Sequence, residues 1–238
     1  MPQIFPLDII TNTVLNLRQE VAPGQFSTGT GTFINHKDKL YILTAEHVAK
    51  DMKADCQFIV KGANDTPIIL TLEDLTQQTA SLPWKVHATA DMAVMQLNPK
   101  ATILSTSLVR RFLPSDNIFV PYKAVDRNVQ LTTIGFPLGL GAFGHFSPLT
   151  FRTYASSGLI TLNRFDNKNP CDFFILENPG VGGYSGGPVV DISIYNNMGM
   201  QMNGDGTMIY GILHGTISDQ TGGKLAAVTP SYYLFDLI

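Results

Sequence analysis

Short apolar segments bounded by glycine, proline, asparagine and aspartate recur along the whole chain, and this pattern constrains the fold more than any other feature. Short or alternating apolar runs between turn residues are typical of β-strands, and many such strands favour a sandwich or a barrel. Helical periodicity is confined to short stretches after Thr44, over Leu72–Gln78 and at Ser231–Ile238. Twelve strands are predicted, over Thr13–Leu17, Gly29–Ile34, Leu40–Leu43, Gln57–Val60, Ile68–Leu72, Met92–Leu97, Val129–Ile134, Arg152–Ile160, Phe173–Leu176, Pro188–Ile194, Met208–Leu213 and Ala226–Val228.

A long polar stretch, Pro99–Arg127, divides the predicted strands into two groups of similar size. We therefore predict an all-β fold of two six-stranded antiparallel β-barrels, with a short C-terminal helix. The first barrel is expected over about residues 1–110 and the second over about residues 111–238. A chain of 238 residues lies within the size range of one such domain.

Charge and cysteine content exclude several kinds of site and partner. The 16 basic and 19 acidic side chains give a net charge of −3 and form no run, so no nucleic-acid partner is expected. The segment Met1–Thr11 does not resemble a secretory signal, and no apolar run has the roughly 18 residues of a membrane span, so we expect a cytoplasmic protein without a membrane partner. Cys56 and Cys171 are isolated from other metal-ligating residues, so we predict neither a metal site, a cofactor nor a disulfide between them.

Three local patterns carry candidate chemistry. In Tyr41–Val48 an apolar strand ends in a small-residue turn that presents His47, and a glycine-rich strand, Ser27–Phe33, is expected to pack closely behind that turn. In Ala90–Leu97, Asp91 opens an alternating strand. In Gly182–Pro188, Ser185 stands among four glycines immediately before a strand. That backbone freedom allows close approach to a nucleophile and lets its own N–H turn toward a substrate oxygen.

Together the three patterns resemble the trypsin-like serine peptidases of the chymotrypsin fold. Within that family, the sequence is most similar to the bacterial HtrA/Deg and glutamyl-endopeptidase branch. Further similar segments extend the resemblance over roughly residues 12–235. Nothing in the sequence resembles the peptide-binding PDZ domain that follows the protease domain in HtrA proteins. These further segments are Thr133–Gly141, Ser156–Ile160, Asn178–Gly180 and Ala227–Pro230.

The resemblance implies a serine endopeptidase that forms an acyl-enzyme with a protein or peptide substrate. His47 would take the proton of the Ser185 hydroxyl, and Asp91 would hold the imidazole in the right tautomer. The backbone N–H groups of Gly183 and Ser185 would form the oxyanion hole.

Departures from the family pattern bear on regulation and specificity. Tyr184 replaces the aspartate that pairs with a new N-terminus in the digestive branch, so activation by trimming is not expected. The loop Pro179–Tyr184 therefore has no charged anchor, and we expect an activating or regulatory protein partner, a ligand or self-association to order it.

The sequence does not decide which residue type the specificity pocket accepts. An acid commonly stands six residues before the serine in enzymes that cleave after Arg or Lys, but this chain has Pro179 there, with Glu177 two residues further away, so basic specificity is in doubt rather than excluded. We assign the pocket to Pro179 and to Ile212, Leu213, His214 and Gly215 of one strand. His214 is assigned either to the pocket wall or to packing.

Two further functions remain open at this point. One is a peptide- or protein-binding module that no longer cleaves, although the presence of His47, Asp91 and Ser185 argues against it. The other is a polyprotein-processing protease from a virus or phage, because such enzymes share the fold and often lack disulfides.

Overall fold

The computed structural model describes residues 2–197, 200–218 and 224–238. Most strands in these residues belong to two large sheets, of eight and seven strands, and two more form a separate hairpin. The predicted all-β fold of two antiparallel β-barrels is confirmed as two barrel-like sheets, although these hold eight and seven strands rather than six each. The strands are β1 (Val14–Ala22), β2 (Gln25–His36), β3 (Lys39–Thr44), β4 (Gln57–Lys61), β5 (Pro67–Leu70), β6 (Trp84–Val86), β7 (Ala93–Leu97), β8 (Leu113–Pro114), β9 (Leu131–Gly135), β10 (Leu149–Thr153), β11 (Ile160–Asn163), β12 (Pro170–Leu176), β13 (Pro188–Asp191), β14 (Ile194–Asn197), β15 (Met200–Asn203), β16 (Met208–Ser218) and β17 (Lys224–Pro230).

The helices of the described residues are short and lie between strands or at the chain ends. The predicted C-terminal helix is present as a 3-10 helix that begins directly after Pro230, whose fixed φ suits the start of a helix. The α-helices are α1 (Leu7–Thr11), α2 (Glu46–Asp51), α3 (Leu72–Thr76) and α4 (Ala101–Thr106), and the 3-10 helices cover Ala63–Asp65, Ser115–Asn117, Pro137–Gly139 and Ser231–Asp236.

Each large sheet places one part of the candidate site. The first has the order β5-β4-β1-β2-β3-β7-β6, with β8 paired in parallel to β2, and the second has the order β10-β9-β13-β16-β17-β12-β11. Neighbouring strands β3 and β7 bring the segments of His47 and Asp91 side by side, because Thr44 pairs with Ala93. Ser185 lies three residues before the start of β13, which pairs with β16 in the second sheet.

The predicted strands differ from the observed ones where the backbone turns within an apolar run. The run Arg152–Ile160 is not one strand, because β10 ends at Thr153 and β11 begins only at Ile160. The run Pro188–Ile194 is interrupted at Ser193, whose φ of 51° is incompatible with an extended strand. The short strands β6 and β8 were not predicted, since two or three residues give no measurable periodicity.

A shared apolar core joins the two sheets. One cluster of buried side chains contains Phe33 and Ile42 from the first sheet together with Ile134 and Ile212 from the second. Burial of side chains of this size contributes roughly 1.5–3 kcal/mol each. The two sheets are therefore held together by the same apolar contacts that stabilise each of them.

Both cysteines are free and buried. Burial is the main cause that raises the pKa of Cys56 to about 12 and the pKa of Cys171 to about 11. Neither thiol therefore has the low pKa of a reactive nucleophile.

No helix in the described part of the chain is both long enough and apolar enough to cross a membrane.

Candidate active site

His47 is held at the start of α2 by a tight turn after β3. The hydroxyl of Thr44, the last residue of β3, donates to the carbonyl of Thr30 in β2 at 2.7 Å. The expected close packing behind the turn is present at Gly29, where an added Cβ would overlap the side chain of Val48 in α2. The glycine thus lets the helix approach the strand closely enough to fix His47.

Asp91 lies beside His47 and accepts two hydrogen bonds from it. The backbone N–H of His47 donates to Asp91 Oδ1 at 3.0 Å, and His47 Nδ1 lies 2.7 Å from Asp91 Oδ2. The Asp91 side chain is fully buried, whereas the His47 side chain is 17% exposed. The imidazole is therefore anchored on its Nδ1 side.

Ser185 joins this group through His214 of β16. Its hydroxyl donates to the backbone carbonyl of His214 at 3.3 Å, and the rings of His214 and His47 lie 5.7 Å apart. The structure gives no hydrogen bond between the side chains of Ser185 and His47, both of which are described. The structure thus brings all three predicted catalytic residues to one place, with the serine hydroxyl turned toward β16.

His214 is a second imidazole on the same carboxylate. Its Nδ1 lies 2.5 Å from Asp91 Oδ2, and its Nε2 accepts the backbone N–H of Phe165 at 3.3 Å. An imidazole that accepts at Nε2 and donates at Nδ1 is neutral, so the two contacts assign the tautomer. The ring is buried and belongs to the environment of Asp91.

Arg164, in the turn between β11 and β12, completes the surroundings of Asp91. Its buried guanidinium donates from Nη2 to Asp91 Oδ1 at 3.1 Å and to Asp166 Oδ2 at 2.7 Å, and from Nε to Asp166 Oδ1 at 2.9 Å. Its Nη1 donates to Glu46 Oε2 at 2.6 Å and to the carbonyl of Thr89 at 3.2 Å. All five N–H donors are therefore used, on three carboxylates and one carbonyl.

These contacts keep the carboxylates ionised. Burial opposes ionisation of Asp91, but the hydrogen bonds from His214 and His47 outweigh it and hold its pKa below the usual range. Burial likewise opposes the ionisation of Asp166, and its pairing with Arg164 lowers its pKa. The pKa of Arg164 is raised despite its burial, chiefly by the hydrogen bond to Asp166.

Backbone and side-chain hydrogen bonds fix the loop before Ser185. The carbonyl of Gly182 accepts the N–H of Leu138 at 2.7 Å, and the carbonyl of Gly183 accepts the hydroxyl of Thr30 at 2.8 Å. The N–H of Gly183 therefore points away from Leu138, since the two groups of a trans peptide are opposed. Within the described residues the N–H groups of Gly183 and Ser185 have no protein acceptor. They are available to an incoming oxyanion.

An apolar cavity of about 410 Å³ lies beside the loop that precedes Ser185, and Pro179, Gly180, Val181 and Tyr184 of that loop line it. Of the five residues that the sequence assigns to the substrate pocket, Pro179 and Leu213 line this cavity, whereas Ile212, His214 and Gly215 do not. Two of its lining residues are chain neighbours of the site, because Tyr184 directly precedes Ser185 and Leu213 directly precedes His214. Side chains that line it include Leu138, Leu149, Phe151, Pro179, Tyr184 and Leu213.

Arg164 and its acidic partners were missed by the sequence analysis. Arg164 lies in the polar turn between β11 and β12, with Asp166 two residues later, which is the usual composition of an exposed loop. Glu46 directly precedes His47, but a single acid at a helix start is commonly a favourable dipole contact. Only the adjacency of Glu46 to a candidate catalytic residue was a usable signal.

The side-chain nitrogen and oxygen atoms of His47, Asp91 and His214 lie within 4.8 Å of one another, which is close enough for three ligands of one metal ion. The two Nδ1 to Oδ2 distances of 2.7 and 2.5 Å are those of hydrogen bonds. Zinc ligands at about 2.0–2.1 Å from a shared tetrahedral ion would be farther apart, at about 3.3 Å. Hydrogen bonding to a shared carboxylate accounts for the cluster.

Comparisons with known proteins agree with this geometry. The family model for the trypsin-like peptidase domain matches residues 29–195. No curated protein matches the sequence.

Solved protease structures share the fold at low sequence identity. The MamO protease domain from Magnetospirillum magneticum has 13% identity and a TM-score of 0.60, over 97% of both chains. The active form of the Rv3671c protease from M. tuberculosis has 13% identity and a TM-score of 0.58, over 98% of this chain and 86% of that one. Deg5 has 14% identity and a TM-score of 0.53, over 96% and 88%.

Proposed function

Because this chain belongs to the trypsin-like peptidase family, we propose that it hydrolyses peptide bonds through an acyl-enzyme on Ser185, with His47 as base and Asp91 as its partner. It is a serine endopeptidase, and its substrates are proteins or peptides. The observation that carries the residue assignment is the convergence of His47, Ser185 and the buried Asp91 around residue 214.

The first half of the reaction forms the acyl-enzyme. The Ser185 hydroxyl rotates from the carbonyl of His214 toward His47 Nε2, which takes its proton as Oγ bonds to the scissile carbonyl carbon. The carbonyl π electrons move to oxygen, where the N–H groups of Gly183 and Ser185 donate to the oxyanion. When the carbonyl re-forms, the C–N bond breaks, and His47 gives its proton to the departing amine.

The second half releases the acyl group. His47 Nε2 takes a proton from water, whose oxygen bonds to the ester carbon and forms a second oxyanion. The C–Oγ bond then breaks, the proton returns to Ser185, and the acid product leaves. Asp91 remains ionised throughout and stabilises the imidazolium that forms in each half.

We assign the apolar cavity to the side chain of the residue that supplies the scissile carbonyl. Its described lining carries no charged side chain, and the cavity volume of about 410 Å³ suits a large apolar group. This supports cleavage after large apolar residues rather than after Arg or Lys, because a buried cation without a partner is strongly disfavoured.

Activation by a protein partner, a ligand or self-association belongs to the same proposal, and it acts on the side chain of Ser185. Ser185 Oγ donates to His214, so the nucleophile has to turn before it transfers a proton to His47. Specific activity is expected to rise with enzyme concentration or with an added partner. Constant activity of the isolated monomer, equal to that with any added factor, speaks against activation.

Labelling with a fluorophosphonate tests the nucleophile. We expect the probe to modify Ser185 alone, as identified by sequencing of the labelled peptide. Ser185→Ala should abolish labelling and reduce turnover by about four to six orders of magnitude, with the same unfolding midpoint as the parent. Near-parental hydrolysis by folded Ser185→Ala would show that another residue is the nucleophile.

A further inference from the structure

A second cavity, of about 320 Å³, lies on the other side of Leu138 from the apolar cavity. Its lining includes Arg18 and Asn16 of β1 and Phe26 and Thr28 of β2, which lie on one face because Arg18 pairs with Thr28 across the strands. Leu138 and Phe143 close it from the loop after β9.

Two aromatic rings hold the guanidinium of Arg18 in place. Its central carbon lies 3.4 Å from the ring centre of Phe26 and 4.3 Å from that of Phe143. Glu20, two residues along the same strand face, accepts the N–H of Gly24 with Oε1 at 2.9 Å, and its negative charge also acts on the Arg18 guanidinium. In the described chain, Arg18 has neither an ion pair nor a hydrogen-bond acceptor. Rings that cover its faces leave the N–H edge free for a planar anion.

The cavity lies close to the nucleophile. Thr28 is two residues before Thr30, whose N–H donates to the carbonyl of Ser185 at 2.9 Å, and two residues of a strand span about 7 Å. Leu138, which separates the two cavities, donates its N–H to the carbonyl of Gly182 beside the oxyanion donors. The two cavities thus flank the Ser185 loop.

We propose that this second cavity binds a carboxylate on the leaving-group half of the substrate, with Arg18 as the specificity-determining residue. The inference rests on the proposed function, because it assigns the apolar cavity to the residue before the cleaved bond. A peptide seated there continues past Ser185 toward β2 and places a side chain from the next few residues near Arg18. Both an acidic side chain and a terminal carboxylate match the bidentate geometry of the guanidinium.

Matched peptides provide the test. One apolar residue precedes the cleaved bond in all of them, and Glu or Gln is placed in turn at each of the three following positions, with an amidated C-terminus. A second arm carries Gln at these positions with a free C-terminal carboxylate after the second or third residue. We expect a Glu-to-Gln ratio of kcat/KM on the order of 10 at one position, or a similar gain from the free carboxylate.

Substitution of Arg18 separates recognition from packing. Arg18→Gln and Arg18→Met should reduce the ratio to about 1, whereas Arg127→Gln, at an exposed arginine of the loop before β9, should preserve it. If Arg18 only joins β1 to the loop of Phe143, hydrolysis of the Glu and Gln peptides falls equally and the ratio persists.

Three outcomes would contradict the proposal that Arg18 forms a carboxylate subsite. These are a parental ratio near 1 at every position together with no gain from the free carboxylate, a ratio unchanged in a folded Arg18 variant, and equal loss in Arg127→Gln. Arg18→Met keeps an apolar stem between the rings if Arg18→Gln does not fold. Failure of the proposed function is distinct, because the parent then cleaves none of the peptides or Ser185→Ala cleaves them all.

Discussion

Four N–H donors converge on the Asp91 carboxylate, two on each oxygen. Oδ1 accepts from the backbone of His47 and from Arg164, and Oδ2 accepts from the rings of His47 and His214. A carboxylate saturated in this way has one orientation, so it also fixes the plane of the His47 imidazole. The base is positioned by a network in which Arg164 and His214 act through Asp91.

Arg164→Met tests this residue-scale network. Removal of the guanidinium leaves Asp91 and Asp166 without a cation, whereas Glu46 keeps its ion pair with Lys50, so we expect the free energy of unfolding to fall by roughly 3–5 kcal/mol. In molecules that remain folded, kcat should fall more than KM changes, since Asp91 loses a donor that orients it. Urea unfolding and steady-state kinetics measure the two effects.

Variants of the same turn provide the comparison. Arg164→Lys retains the charge but offers three donors instead of five, so partial recovery is expected. Lys168→Met, at an exposed position, should change the unfolding free energy by less than about 0.5 kcal/mol. If the parent and Arg164→Met have equal kcat and KM, Arg164 does not help to position Asp91.

At the scale of elements, the serine loop is held by β2 and by the segment after β9. Gly183 has a φ of 99°, and a Cβ there would overlap the carbonyl oxygen of Phe136 and lie 2.8 Å from Leu138 N. Both obstacles are backbone atoms, which do not move as a flexible side chain does. The conformation that leaves the Gly183 N–H free therefore requires glycine.

Gly183→Ala is expected to reduce kcat by about 100- to 1000-fold, the cost of losing one oxyanion donor. Gly182→Ala is a matched control, since a Cβ on Gly182 meets no atom within 4 Å. Steady-state kinetics at substrate saturation compare the two. Equal loss in both variants contradicts the assignment of the Gly183 N–H.

The sequence predicted elements better than it predicted their long-range partners. The segments of His47, Asp91 and Ser185 were found because each residue type stands in a characteristic local setting, and Tyr184 was seen to replace a charged anchor. Arg164 stands in a turn of ordinary polar composition, and it is buried through its contacts with Glu46, Thr89 and Asp91, which are distant in sequence. His214 was noticed, but only the tertiary fold turns its ring toward Asp91.

At the scale of the whole molecule, the buried charges couple stability to pH. The folded pKa values of Asp91 and Asp166 lie below the ordinary value of 3.8. Groups of this kind stabilise the fold fully above their unfolded pKa, and the contribution is lost as pH falls toward the folded pKa. Their contribution is therefore expected to be constant above about pH 5 and to be lost progressively below about pH 4.

Urea unfolding at pH 7, 5, 3.5 and 2.5 checks the expected loss. Asp166→Asn removes one of the depressed carboxyl groups, so its unfolding free energy should depend less steeply on pH below 4 than that of the parent. Asp126→Asn, in an exposed turn, should retain the parental dependence. If the unfolding free energy of all three proteins depends equally on pH, the pairing of Asp166 with Arg164 does not cause the loss of stability in acid.

The origin of the Asp91 donors limits how this chemistry can be transferred between proteins. His47 and Asp91 both belong to the first half of the chain, yet Arg164 and His214, which supply half of the donors to Asp91, come from the second. A fragment consisting of the first sheet would keep the proton-transfer pair but would lack two of the groups that hold its carboxylate. A graft of the β3, α2 and β7 region into another scaffold must therefore bring a guanidinium and a second imidazole with it.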